Sequence, residues 1–487
     1  MSVSHSTIDV TVLIIGAGIS GIGAAIRLRE MGITDFVVLE KASSPGGTWR
    51  DNTYPGCACD VPSSLYSYSF APNPRWSRVF ARQPEILDYV HDVVDRFDVR
   101  PHIRFGEPAL DGHWHEASGR WRVKTERGIY HARFVISCAG YLHEPQLPAI
   151  PGLEDFDGPL FHSSRWDHDL DLAGKCVGVI GTGASAIQFV PEIRKTAHQV
   201  VIYQRTPQWI LPKTDSRLGD WAQQLMESPA LSSLTRKALH SGLEAFGVGF
   251  RHPKLLEQIQ KVALAHLHAT IRDPELRQKL TPDYVLGCKR VLLSNDYYPA
   301  VRQQNVELLA TGVERCAGKT LVGSDGSRRK VDAIIMATGF HVSDPPNLDR
   351  VYGAEGRSLA EVWDGSPQAY RGTTVSGFPN LFLVLGPNLA IGNNSAFLVI
   401  EAQLKYIAAT LAHLRDNRLT RFEVSAQAQK SYNLKVQNDL QRTVWNTGGC
   451  SSYYLDSNGL NSIGFPWSTQ TMQRLLKKFD AGNYHLS

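Results

Sequence analysis

An α/β fold of two similar strand–turn–helix units, with a helical segment inserted into the second, is predicted by three stretches of the sequence. Residues 10–15, VTVLII, are an apolar run of strand length that passes at once into Gly16-Ala-Gly18-Ile-Ser-Gly21 and the helix-like AAIRLREMG. Residues 176–180, CVGVI, repeat that grammar into Gly181-Thr-Gly183-Ala-Ser-Ala186 and a helical pattern through Ile187, Val190 and Ile193. Between residues 215 and 283, Leu255, Ile259, Val262, Leu267 and Ile271 are spaced for one apolar helical face with basic residues opposite.

The glycines have a physical purpose. A pyrophosphate must reach backbone N–H groups at a helix N-terminus, and side chains at the glycine positions would collide with it; alanine is tolerated as the last small residue. Both units therefore read as Rossmann-like dinucleotide-binding domains. Residues 36–39, FVVL, close on Glu40, 24 residues after Gly16, and residues 199–203, QVVIY, close on Gln204-Arg205-Thr206, with Arg205 24 residues after Gly181. A carboxylate in this slot suits the two hydroxyls of a ribose, whereas a guanidinium pairs with a 2′-phosphate that a carboxylate would repel. The first unit is thus expected to hold FAD and the second NADPH. Either charge alone would read equally as an exposed strand end, but they occupy equivalent positions in two separate units.

At 487 residues the chain is too long for one ordinary core. Apolar residues at 43% and charged residues at 20% are ordinary for a soluble globular protein. A net charge of +4 does not argue for nucleic acid, and Arg328-Arg329-Lys330 reads as a solvated turn. The seven cysteines show no paired metal spacing and are odd in number, which points to reduced thiols in the cytoplasm rather than a disulfide framework. Cys57-x-Cys59 is too short for a usual zinc clamp, so no metal is expected. No basic region precedes the first apolar run, which is of strand length, so neither a secretory signal nor stable membrane insertion is expected.

After Glu40 comes the loop Gly46-Gly47-Thr48-Trp49 through Tyr54-Pro-Gly to Asp60, whose glycines permit close backbone approach and whose Trp49 supplies a flat surface. Residues 134–140, FVISCAG, form a strand leaving the first unit, punctuated by Pro145, Pro148 and Pro151. Residues 331–339, VDAIIMATG, mirror it in the second unit, and residues 378–386 return the chain to the first, where the helix after Asn394 is expected to aim its N-terminus at the flavin. The resulting division is 1–148 with 375–487 for FAD, 155–214 with 285–345 for NADPH, and 215–284 for the helical insertion. Within the second unit, Gly287-Cys-Lys289-Arg290-Val-Leu-Leu wedges two cations between a glycine turn and an apolar strand.

One spacing is explained by no periodicity: Phe156, Gly158, His162, Trp166 and Asp167, or F-x-G-x-x-x-H-x-x-x-W-D. It resembles the fingerprint of type I Baeyer–Villiger monooxygenases, within the flavin-containing monooxygenase superfamily. Relatives that oxidise nitrogen and sulfur usually carry Tyr-Lys where this chain has Trp166-Asp167. The run G-G-x-W-x4-Y-P-G-x3-D resembles the second motif of those enzymes, and the resemblance places Thr48, Trp49, Asp60 and Tyr66 beside the flavin. Likewise, G-x-K-R implies Arg290 above the flavin and Lys289, with Arg205 and Thr206, at NADPH, while the helical insertion resembles a lid over the substrate.

The chemistry implied is hydride transfer from NADPH to FAD, reaction with O2 to a C4a-peroxyflavin, attack on a ketone and carbon migration to an ester or lactone. Arg290, permanently charged, is expected to stabilise the anions without protonating them, with Asp60 as its ion-pair partner. Two alternatives are a monooxygenase making sulfoxides or N-oxides from small thioethers or amines, and a non-catalytic, flavin-bound NADPH sensor. Many family members have Ser-Trp-Tyr where this chain has Ser452-Tyr453-Tyr454, which leaves the particular ketone open.

Overall fold

Ser6–Ile15 is the axis of the first sheet, pairing in parallel with Phe36–Glu40 on one side and Gly128–Ser137 on the other. Ile103–Phe105 extends the sheet beyond Phe36–Glu40, and Leu381–Leu383 joins Gly128–Ser137, both in parallel. Val12, Leu13 and Ile14 are buried, as strands covered on both faces require. An antiparallel ribbon, Ala109–His115 and Arg120–Thr125, precedes Gly128–Ser137. The computed structural model describes residues 6–346 and 348–487.

The second sheet follows the same plan. Val306–Leu309, Gln199–Tyr203, Cys176–Ile180, Ala333–Met336 and Leu160–His162 lie side by side, all parallel. Here too an antiparallel flap, Val313–Ala317, Thr320–Gly323 and Arg328–Lys330, precedes the closing strand Ala333–Met336. Residues 328–330 are therefore a strand rather than a solvated turn, and Arg329 binds Glu307 at 2.6 Å. Val351–Tyr352 pairs with Ala109–His115, so the chain rejoins the first sheet well before residue 375.

The insertion contains helices Asp220–Met226, Pro229–Arg251, Pro253–Thr270 and Pro274–Leu280, three of them begun by proline where no N–H is needed. Its anticipated apolar face is corrected at two positions: Leu267 and Ile271 are buried and Ile259 half-buried as expected, but Leu255 and Val262 are 54% and 50% exposed, and Leu256 and Ala263 are buried in their stead. Apolar residues stand on both sides of this helix, and the choice falls to the side where Leu256 fills space left by Gly249 and Gly287. Arg236 anchors the insertion by donating to the Ser64 carbonyl at 2.6 Å and to Ser67 Oγ at 2.8 Å.

Ala396–Asp416 is the one helix among the described residues long and apolar enough to cross a bilayer, yet 67% of that apolar window is buried. It packs on Ile19–Glu30 where Gly23 leaves room for Leu404. The expectation of seven reduced cysteines is also corrected: Cys288 and Cys450, 162 residues apart in sequence, form a disulfide. They meet because Val285 N–H donates to the Gly448 carbonyl at 2.9 Å, a register that spacing along the chain does not reveal. The other five cysteines are free, and four of them are buried.

Candidate active site

The two glycine turns are near copies. Gly16 and Gly181 have φ of +100° and +103°, a region that L side chains rarely enter. A Cβ on Gly16 would stand 2.8 Å from the Cys138 carbonyl oxygen, and one on Gly181 2.5 Å from that of Ala337. Gly21 faces the Gly16 carbonyl, and Ala186 fills the equivalent slot in the second unit, fully buried. Gly18 faces Gly47 at 3.6 Å, whereas no protein atom lies within 4 Å of a Cβ built on Gly183. Helices Ile19–Glu30 and Ala186–Ile193 have no side-chain cap, which leaves first-turn N–H groups without side-chain partners. Open cradles with uncapped donors fit two pyrophosphates.

Glu40, at the end of Phe36–Glu40, is buried. Its Oε2 accepts from Ala17 N–H at 2.8 Å, and its Oε1 from Ala42 N–H at 2.9 Å and Arg50 Nη1 at 3.0 Å. The carboxylate thus braces the first glycine turn and, with about four lone-pair sites, can still accept ribose hydroxyls. Arg50 escaped the sequence reading although it stands next to Trp49. Burial works against its charge, and Asp51 and Glu40 outweigh that effect. Thr48 is exposed, while Trp49 donates to Tyr66 Oη at 3.0 Å and meets its ring edge-on; Tyr66 in turn abuts Phe397 at the start of Ala396–Asp416.

In the second unit, Arg205 is exposed, and the carbonyl of Thr206 accepts from Thr182 Oγ1 at 3.3 Å. Lys289 Nζ lies 5.4 Å from the Tyr284 ring centre. Burial lowers the Lys289 pKa, and the charge of Arg205 lowers it further. Neither cation has an ion-pair partner among the described residues. Two mutually repelling cations at the strand end are the donor set that a phosphate monoester would satisfy.

Arg290 follows Gly287 and precedes Leu292–Leu293, which pairs in parallel with Ile210–Leu211. Its Nε donates to Asp60 Oδ2 at 3.0 Å, and Nη2 to Oδ1 and Oδ2 at 2.8 and 2.7 Å, leaving Nη1 without an acceptor among the described residues. The Asp60 carboxylate raises the Arg290 pKa further above its ordinary value. Tyr453, 42% exposed, stacks on buried Tyr454 at 4.6 Å, and the disulfide ties this segment to the Lys289-Arg290 segment. Burial pushes the Tyr141 pKa up to about 12, against the opposing pull of the Arg290 charge. Tyr141 also walls an apolar cavity of about 110 Å³, shared with Trp363, Leu383, Val384 and Ile463, at the carboxyl ends of Gly128–Ser137 and Leu381–Leu383. Tyr141 carried no motif that would have singled it out.

The five fingerprint residues lie in the second unit, and Trp166 among them comes nearest to the first. Phe156 is buried beside Ile180 and Tyr203, and a Cβ on Gly158 would stand 2.7 Å from the Asp332 carbonyl. His162, buried at the end of Leu160–His162, accepts from Ser164 N–H at 3.2 Å and meets Phe340 edge-on. Burial lowers its pKa to about 4, and its Nε2 has no hydrogen bond of good geometry. Trp166 sits between Phe161 and Phe189, and Phe189 touches Tyr54 of the first unit. Asp167 is exposed and accepts from Asp169 N–H. None of the five hydrogen-bonds to Asp60 or Arg290 among the described residues.

The sequence matches the flavin-binding monooxygenase-like family over residues 9–352. It is 47% identical over 98% of its length to a Baeyer–Villiger monooxygenase of Streptomyces coelicolor, covering 92% of that protein. It is 44% identical, again over 98% of its length, to one of Pseudomonas aeruginosa, covering 91% of it. The fold superposes on oxidised steroid monooxygenase bound to NADP with a TM-score of 0.87 at 30% identity, covering 98% of this chain and 99% of that one. It superposes on cyclohexanone monooxygenase from Rhodococcus sp. Phi1 bound to NADP+ with a TM-score of 0.86 at 28% identity, covering 99% and 100%. With cradle, cation pair and Arg290–Asp60 centre in one chain, and near-complete coverage by these relatives, the chain belongs to the flavin-binding monooxygenase-like family, among its Baeyer–Villiger monooxygenases.

Proposed function

We propose that the chain uses Arg290, oriented by Asp60, to insert one oxygen atom from O2 beside a ketone carbonyl, giving an ester or lactone with FAD and NADPH as cofactors. FAD, when bound, accepts a hydride from NADPH and activates O2. The glycine cradles at Gly16 and Gly181 receive the two pyrophosphates, Glu40 receives the ribose of FAD, and Arg205 with Lys289 receives the 2′-phosphate. Trp49 and Tyr66 form a wall of the flavin site.

The observation that carries this reading is the forked Arg290–Asp60 pair, which occupies Nε and Nη2 and spares Nη1. A guanidinium stays protonated at any working pH, so it stabilises a negative oxygen without handing over a proton, as an acid would. Asp60 holds the plane of the group so that its free edge faces one direction. The apolar cavity beside Tyr141 is the recess proposed for the carbon skeleton of the ketone.

The test is Arg290→Ala in purified yellow protein. NADPH is expected to bleach the flavin anaerobically at a rate close to the parent's, while ester formation from a panel of ketones is lost. Oxygenation retained by the variant would remove Arg290 from the reaction.

A further inference from the structure

Arg290 and Asp60 together are electrically neutral, yet a second cation stands behind them. Lys213 lies just beyond Ile210–Leu211, the strand paired with Leu292–Leu293, so Arg290 and Lys213 approach the Cys59–Asp60 segment from neighbouring strands. Its Nζ donates to the Cys59 carbonyl at 3.2 Å and lies 4.9 Å from the Phe80 ring centre. Asn295 fixes its backbone on both sides, accepting from Lys213 N–H at 2.9 Å and donating to its carbonyl at 2.6 Å. Other charged and titratable groups facing it are Asp60, Asp215, Cys59 and Arg78, and Asp215 is itself claimed by Arg78 at 2.9 Å. With Arg78–Asp215 and Arg290–Asp60 matched, Lys213 is the unmatched charge of the cluster.

We infer that Lys213 is a positioning residue for oxygen insertion: it pins the peptide carrying Asp60 and gives the Arg290–Asp60 centre a net positive charge facing the reacting oxygens. The inference rests on the role proposed above for Arg290. A neutral ion pair has little field beyond its own dipole, whereas a pair backed by a third charge attracts an oxyanion in a water-poor site. Burial lowers the Lys213 pKa, so its charge is lost at a lower pH than that of an ordinary lysine.

The test compares Lys213→Met and Lys213→Arg holoenzymes, following ester formed per NADPH consumed from pH 6 to 10 and amide hydrogen exchange over residues 57–63. Lys213→Met is expected to lower the ester yield at least fivefold, to raise peroxide release to match, and to speed exchange at 59–61. Its anaerobic reduction by NADPH should stay within twofold of the parent's. Lys213→Arg is expected to restore the yield and to move the alkaline fall in yield upward, because a guanidinium keeps its charge. Yield and exchange in Lys213→Met equal to the parent's, while Arg290→Ala remains unable to form ester, would overturn this inference and leave the role of Arg290 standing. An alkaline fall unmoved in Lys213→Arg would overturn it too.

Discussion

Gln188 and Ala58 exchange two hydrogen bonds across the seam between the two cofactor units: Ala58 N–H donates to Gln188 Oε1 at 3.2 Å, and Gln188 Nε2 donates to the Ala58 carbonyl at 3.1 Å. Tyr54 Oη donates to the same Oε1 at 3.1 Å, and Gly56 lets the helix bearing Gln188 come close enough for this to happen. One carboxamide on Ala186–Ile193 thus fixes the loop that ends in Asp60.

Gln188→Ala leaves the half-buried N–H and C=O of Ala58 without their carboxamide partner and should lower stability by about 1–2 kcal/mol. Urea unfolding measures the loss. Because the seam sets the distance between the cofactors, the same variant should reduce its flavin more slowly with saturating NADPH.

Gly181 and Gly183 should separate folding from binding. Gly181→Ala forces a side chain into positive φ and against the Ala337 carbonyl, which should cost about 2–4 kcal/mol. Gly183→Val meets no protein atom near its Cβ and should leave the thermal midpoint nearly unchanged while raising the KM for NADPH at least tenfold.

Arg205→Gln removes a charged donor from the proposed phosphate site, worth about 1.5–3 kcal/mol for a charge-assisted hydrogen bond. The Kd for NADPH should rise about 10–100-fold while that for NADH stays put, as steady-state kinetics with both nucleotides will show. Equal losses for both would contradict the assignment.

His162 should make stability depend on pH. Its folded-state pKa of about 4 lies below the ordinary 6.5, so between these values the unfolded chain takes up a proton that the folded one refuses. The contribution is fully present above pH 6.5 and shrinks as pH falls towards 4, by about 3 kcal/mol in all. His162→Gln should flatten this part of the profile in chemical unfolding at pH 7 and pH 5.

Much of the architecture is legible locally, because an apolar strand, a glycine turn and a helix are contiguous in the chain. The same holds for Glu40 and Arg205, whose charges sit at equal distances from their turns. Other features depend on what a residue meets across the fold. The helix Pro253–Thr270 has apolar residues on two sides, and only Gly249 and Gly287 decide that Leu256 goes inward. Nothing near Tyr141, Gln188 or Lys213 marks them, since their partners lie in other segments or are backbone groups, and Arg50, though it stands beside Trp49 and Asp51, gives no local sign that it reaches Glu40. The pairing of Cys288 with Cys450 likewise follows from tertiary register.

Two cradles for adenine dinucleotides, and the difference in charge that separates their ribose sites, were already written in the order of the residues, because close phosphate approach and charge preference are short-range demands. The Arg290–Asp60 centre spans 230 positions, and the seam at Gln188 spans 130. Such contacts exist only once two sheets have packed and loops between them have closed, since a hydrogen bond is made by nearness in space and not by distance along the chain.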